Sequence, residues 1–184
     1  MRGESGRNWS VCFGKQSPEC PVSDYRPVLC RFPIVLLLSL VCLVAPAWAD
    51  FQAGMDAKNR GDFAKALREW RPLAEKGDAR AQFYLGMLYE NGDGVPEDFG
   101  KAREWYEKSA AQGDADAQFY LGLMSAFGRG APLDLVQAHM WYTLAAGNGH
   151  ARATLHRNDL AKEMKPAQIA EARKRAQGWK PKTP

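Results

Sequence analysis

One stretch of this chain is written twice, 36 residues apart, and that repeat limits the fold more than any other feature. Residues 77–106 begin Gly-Asp-Ala-Arg-Ala-Gln-Phe-Tyr-Leu-Gly, and residues 113–142 begin Gly-Asp-Ala-Asp-Ala-Gln-Phe-Tyr-Leu-Gly. At that offset 16 of 30 positions are identical. Gly92, Gly94, Pro96, Asp98, Ala102, Trp105 and Tyr106 return as Gly128, Gly130, Pro132, Asp134, Ala138, Trp141 and Tyr142. A fixed period in the thirties marks a solenoid of small helical units, none of which can bury its apolar face alone.

Within each copy the apolar residues recur at helical spacing. Ala79 to Glu90 reads as helix A of the first copy, with Ala81, Leu85, Leu88 and Tyr89 in one stripe. Asn91 to Glu97 reads as a glycine-bearing loop. Asp98 then caps helix B, which runs to about Gln112 with Ala102, Trp105, Tyr106 and Ala110 inward. The second copy gives helix A over Ala115–Phe127, a loop over Gly128–Leu133 and helix B over Asp134–Ala146. Clear repeats thus span 77–112 and 113–148, with degenerate hairpins expected at 51–76 and 149–178. In the first of these, Phe51 to Asn59 and Phe63 to Lys76 are the helices, and Pro72 kinks the second or ends it early. In the last, Arg157-Asn-Asp-Leu160 replaces the glycine motif and Pro166 opens a helix with Ile169, Ala172 and Ala176 on one side. Such departures suit a terminal cap. Residues 179–184 read as a disordered basic tail. The fold class is all-α, a short right-handed α/α solenoid of about four antiparallel helix pairs. The tryptophans at 70, 105 and 141 are expected to fill the gaps between pairs.

The residues before this array read differently. Arg31 precedes an uncharged apolar run, Phe32 to Ala45, which ends in Pro46-Ala-Trp-Ala49. A basic flank, a short apolar core and an Ala-x-Ala site describe a secretory signal peptide over 31–49, cut between Ala49 and Asp50. The expected location is periplasmic or secreted, with no membrane association after cleavage. Residues 1–30 have no periodicity and read as an unstructured extension, with initiation expected nearer Val28. All four cysteines (Cys12, Cys20, Cys30, Cys42) precede the cut, so the mature chain has no thiol chemistry and no disulfide. The net charge of +4 comes from interspersed signs, whereas nucleic-acid binding needs a clustered basic face.

The blocks resemble Sel-one-like repeats, a branch of the tetratricopeptide-like solenoids. The resemblance rests on Ala81-Gln82, Leu85-Gly86, Tyr89, Gly92-x-Gly94-Val95, Asp98, Ala102, Trp105-Tyr106, Ala110-Ala111 and Gln112-Gly113. The second copy keeps most of these but has Ser125 for Tyr89 and Ala131 for Val95. With its degenerate flanks the match extends over roughly residues 51–178. The resemblance implies an adaptor surface for other proteins; bacterial, exported members are linked to envelope processes. A cysteine-rich branch associated with cell-wall binding does not extend to a chain without cysteine after residue 42.

Chemistry-bearing candidates are few. The Gly-x-Gly loops lack the Lys-Ser/Thr of a phosphate loop and read as turns. His139, His150 and His156 lie 11 and 6 residues apart, outside helical metal-pair spacing. Asp78, Asp98, Asp114 and Asp134 sit before helices and read as caps. No nucleophile motif is visible, and no catalytic residue, metal or cofactor is expected. What remains is a strip on the two A helices: Arg80, Phe83, Tyr84 and Met87, matched by Asp116, Phe119, Tyr120 and Leu123. Aromatics and methionine in register off the stacking stripe suit a protein-binding surface. The expected function is a non-enzymatic scaffold gripping a peptide or helix of an envelope protein on its concave face. The alternative is a carbohydrate- or peptidoglycan-binding module, with weak hydrolase activity, whose tryptophans stack on sugars. End-to-end self-association is a third reading.

Overall fold

The computed structural model describes residues 46–181. The N-terminal extension, the four cysteines and most of the signal segment lie outside the described residues, as does the end of the tail. Eight helices occur among the described residues, and no strand: α1 (Pro46–Asn59), α2 (Phe63–Glu75), α3 (Ala79–Asn91), α4 (Phe99–Ala111), α5 (Ala115–Phe127), α6 (Leu135–Gly147), α7 (Ala153–Ala161) and α8 (Pro166–Gly178). None of them is long and apolar enough to cross a membrane.

Aspartate starts five of these helices. Asp62, Asp78, Asp98, Asp114 and Asp134 each accept a hydrogen bond from the backbone N–H three residues on, at 2.7–3.0 Å. Each thereby satisfies one of the donors that a helix leaves unpaired at its start. Glycine ends the two A helices. Gly92 and Gly128 sit at φ 73° and 65°, and their N–H groups return to Leu88 and Met124. An L side chain would be strained there.

α1 with α2, α3 with α4, and α5 with α6 form three antiparallel hairpins, each stacked on the next. α1 begins at Pro46, ahead of the expected Phe51. α2 runs through Pro72 to Glu75 without an early stop. Pro72 lies in the last turn and is exposed, so only one turn of helix follows the hydrogen bond that its missing N–H removes.

The pairing within a hairpin rests on a ring seated against glycine. A Cβ added at Gly86 would stand 2.7 Å from the Tyr106 ring, and one at Gly122 would stand 2.5 Å from the Tyr142 ring. Trp70 presses on Gly54 in the same way in the first hairpin. Stacking between hairpins adds paired side-chain amides, two of them, Gln82 and Gln118, buried. Gln82 Nε2 donates to Ala74 O at 2.9 Å, and Gln112 Nε2 donates to Gln82 Oε1 at 2.9 Å. One repeat later Gln118 Nε2 donates to Ala110 O, and Asn148 Nδ2 to Gln118 Oε1. A buried amide left unpaired would cost about 1–3 kcal/mol, so this ladder fixes the register of the stack.

The C-terminal pair breaks the pattern. α7 and α8 both pack on α6 and scarcely touch each other. Counting on by 36, the glycine socket becomes Asn158 and the tyrosine becomes Gly178. The last expected hairpin is therefore opened out over α6. The tail also differs from expectation. Trp179 is half-buried and meets Trp141 edge-on with ring centroids 6.1 Å apart. Trp70 and Trp141 are buried as the sequence suggests, but Trp105 is only half-buried, with Lys108 Nζ 3.8 Å above its ring.

Candidate functional site

An A helix inside a solenoid has neighbours on both sides, its own B helix and the hairpin before it. Its buried face is therefore wider than a single stripe. This moves part of the expected strip into the core. Phe83 is 8% exposed and Phe119 1%. Phe83 reaches forward to Tyr106 and Tyr120, at centroid distances of 5.7 and 5.5 Å. Phe119 meets Tyr142 at 5.6 Å. Neither side chain is an accessible anchor, which corrects the reading from sequence.

Tyr84 and Tyr120 lie half-buried and face backwards. Tyr84 stacks on Trp70 at 4.9 Å and meets Phe51 at 5.7 Å. Tyr120 meets Tyr106 at 5.4 Å. Lys58 Nζ lies 5.0 Å from the Tyr84 ring. These rings form a continuous aromatic ladder through the hairpins. Replacing both tyrosines with alanine would remove packing as well as any partner contact, so that pair is not a clean binding test.

The outer positions of the strip stay open. Met87 and Leu123 are half-buried, while Arg80 and Asp116 are exposed. Arg80 lies 3.7 Å from Asp78, with its guanidinium 4.3 Å from the Phe51 ring centroid. Asp116 lies 3.5 Å from His150 Nε2. The Tyr84 phenol is held above its ordinary pKa first by burial, then by Asp116 and Asp114, with Arg80 opposing. The strip thus presents a ring edge, two flexible apolar side chains and charges of both signs.

The histidines are more deeply built in than their spacing suggests. His139 is buried on α6. Burial first, then Arg157 and Arg173, lower its pKa. His150 stacks on Phe119 at 4.0 Å, and His156 meets Phe119 at 5.0 Å and Tyr142 at 5.6 Å. His156 stands 36 residues after Tyr120 and repeats its contacts, so it continues the aromatic ladder into α7. Among the described residues no group of three or more His, Cys, Asp or Glu side chains could hold a metal.

A second feature escaped the sequence reading. A cavity of about 340 Å³ lies between the α5–α6 loop and α7, bordered by Phe127, Leu133, Leu135, Tyr142, Asp159 and Glu163 among others. Phe127 and Leu133 are 68% and 60% exposed. A signal was present in the repeat itself: Asn91 and Glu97 become Phe127 and Leu133, polar to apolar at the end of the A helix and in the loop after it.

These features define an α-helical repeat solenoid whose hairpins are stacked by register. The repeats are Sel1 repeats: the family model described as "Sel1 repeat" matches residues 79–114 and 115–150. Two solved structures are similar. One is c5321, a protective antigen present in uropathogenic Escherichia coli strains displaying an SLR fold, with 30% identity, a TM-score of 0.69, and coverage of 78% of this chain and 32% of that one. The other is a Sel1 repeat protein from Oxalobacter formigenes, with 29% identity, a TM-score of 0.57, and coverage of 65% of this chain and 53% of that one. The chain therefore spans about a third and about half of the lengths of these two proteins. No curated protein matches it.

Proposed function

We propose that this chain is a non-enzymatic adaptor of the bacterial cell envelope, carrying a peptide or helix of a partner protein across α3 and α5. Sel1 repeat proteins commonly serve as protein–protein interaction scaffolds. The observation that carries the reading here is the register of the open side chains. Arg80 and Met87 on α3 match Asp116 and Leu123 on α5, the charged pair exposed and the apolar pair half-buried. Two helices at a fixed spacing then offer apolar contact with charges at the rim, which set partner choice. The apolar run and Ala-x-Ala site before Asp50 support export to the periplasm or beyond.

The test replaces Met87 and Leu123 with a photoreactive residue in cells and identifies the captured protein. One envelope protein captured at both positions, and lost with Arg80→Glu plus Asp116→Lys in a folded variant, is the expected result. Capture from neither position by an exported, folded chain would end this reading. Sugar binding has less support, because Trp70 and Trp141 are buried and Lys108 covers the Trp105 ring.

A further inference from the structure

We propose that the cavity between the α5–α6 loop and α7 is a docking seat for an extended segment of a partner protein, one that places an apolar side chain beside an arginine or lysine. It is separate from the α3–α5 strip and does not depend on it.

The chain shows how it fills the matching place one repeat earlier. There the α5–α6 loop returns against the start of α4. A Cβ at Gly130 would stand 2.5 Å from Phe99 O, so loop and helix backbones touch. Arg129 from the same loop lies 3.5 Å from Glu90 and 5.7 Å from the Phe99 ring centroid. Tyr106 completes the arrangement by donating its hydroxyl to Glu90 at 2.7 Å. The place is thus filled by a basic residue and a close-packed backbone.

Counting on by 36, Phe99 becomes Leu135, Tyr106 becomes Tyr142, and Glu90 becomes Ala126; all three later residues line the cavity. Among the described residues no equivalent loop returns to fill it. α7 has 9 residues where α5 has 13, and the link to α8 is only Lys162 to Lys165. Pro166 stands where Gly130 would. Tyr142 is 2% exposed, and among the described residues its hydroxyl has no hydrogen-bond partner, because alanine stands in the place of Glu90. The hydroxyl is not sealed from solvent, so it is open to donate to a carbonyl brought into the cavity.

The two walls of the cavity differ in character. Phe127, Leu133 and Leu135 make one side apolar. Asp159 on α7 and Glu163 in the link after it make the other acidic, at the positions held by Leu123 and Phe127 one repeat before. Asp159 is paired with Lys162 at 2.7 Å, but both side chains are more than half exposed, and such pairs exchange readily. These walls suit an occupant that brings apolar surface and positive charge, and a carbonyl on it would accept from Tyr142. A peptide segment with a basic residue beside an apolar one supplies all three, the basic residue standing where Arg129 stands one repeat earlier.

The test titrates the 15N-labelled full chain with the peptide Ac-Ser-Leu-Arg-Gly-Leu-Ser-NH2 and with its Arg-to-Glu counterpart, each up to about 5 mM. The basic peptide is expected to shift the amides of Phe127, Leu133, Leu135 and Asp159, and to bind at least about tenfold more tightly than the acidic one. Asp159→Lys with Glu163→Lys should remove that preference. Leu133→Lys, at an exposed position that does not threaten folding, should weaken both peptides. Equal binding of the two peptides, shifts confined to α3 and α5, or no shifts at all would overturn the proposal. So would a concentration-dependent dimer abolished by Leu133→Lys, which would assign the seat to a second copy.

Discussion

The second repeat, α5 with α6, and the C-terminal pair, α7 with α8, continue one 36-residue register yet pack in different ways. In the second repeat Gly122 receives the Tyr142 ring, Asp114 caps α5, and Gln118 and Asn148 tie the hairpin to its neighbour. In the C-terminal pair the socket is Asn158, the ring is replaced by Gly178, and α7 has no side-chain cap. His156 keeps the inter-repeat ring contact by taking the place of Tyr120, and Ala153 stays packed against the repeat before it. The hairpin and the stack are therefore held by separate contacts. Loss of the glycine–ring pair opens a hairpin without detaching its first helix from the array.

The largest effect should come from the ring seats of the repeats. Trp70→Ala should cost about 3–5 kcal/mol, whereas Trp179→Ala at the half-buried end should cost about 1–2 kcal/mol. Denaturant midpoints at unchanged slope would measure both; equal losses would mean that the two regions are not distinct. Next comes the socket. Gly122→Ala forces a methyl against the Tyr142 ring and should cost about 1–3 kcal/mol, while Asn158→Ala, exposed on α7, should stay within about 0.5 kcal/mol. Removing a cap is smaller still: Asp114→Ala should lower stability by about 1 kcal/mol. Hydrogen exchange sharpens the contrast without mutation. Amides of Leu85 and Leu121 should exchange only through global unfolding, and those of α7 and α8 through a lower-energy opening. Uniform protection would show a single cooperative unit.

The smallest effect is a pH dependence located at α6. His139 is held below its ordinary pKa by burial and by Arg157 on α7 and Arg173 on α8. The unfolded chain takes up a proton near pH 6.5 that the folded chain refuses, so stability is full above that pH and falls as pH drops below it. A melting temperature falling by a few degrees between pH 7.5 and 5.5 is expected, with the slope reduced in His139→Asn. An unchanged slope in that variant would assign the dependence elsewhere, first to His150, which burial shifts in the same direction.

The sequence by itself determined the helices, their order and the repeat. Those features depend on local chemistry: aspartate before a helix, glycine after it, and apolar residues at helical spacing. Each leaves its mark within one turn of the residue concerned. Only the tertiary structure decided which side of each helix stayed open. Phe83 and Phe119 lie off the stripe of an isolated helix, yet the helices before and after them close over both rings. The same cause opened the end of the array. Asn158 and Gly178 are unremarkable in sequence, but a socket without a ring cannot hold α7 against α8, so both helices turn to α6. Exposure and cavities depend on residues 36 positions apart or on the next helix in space, which no local pattern records.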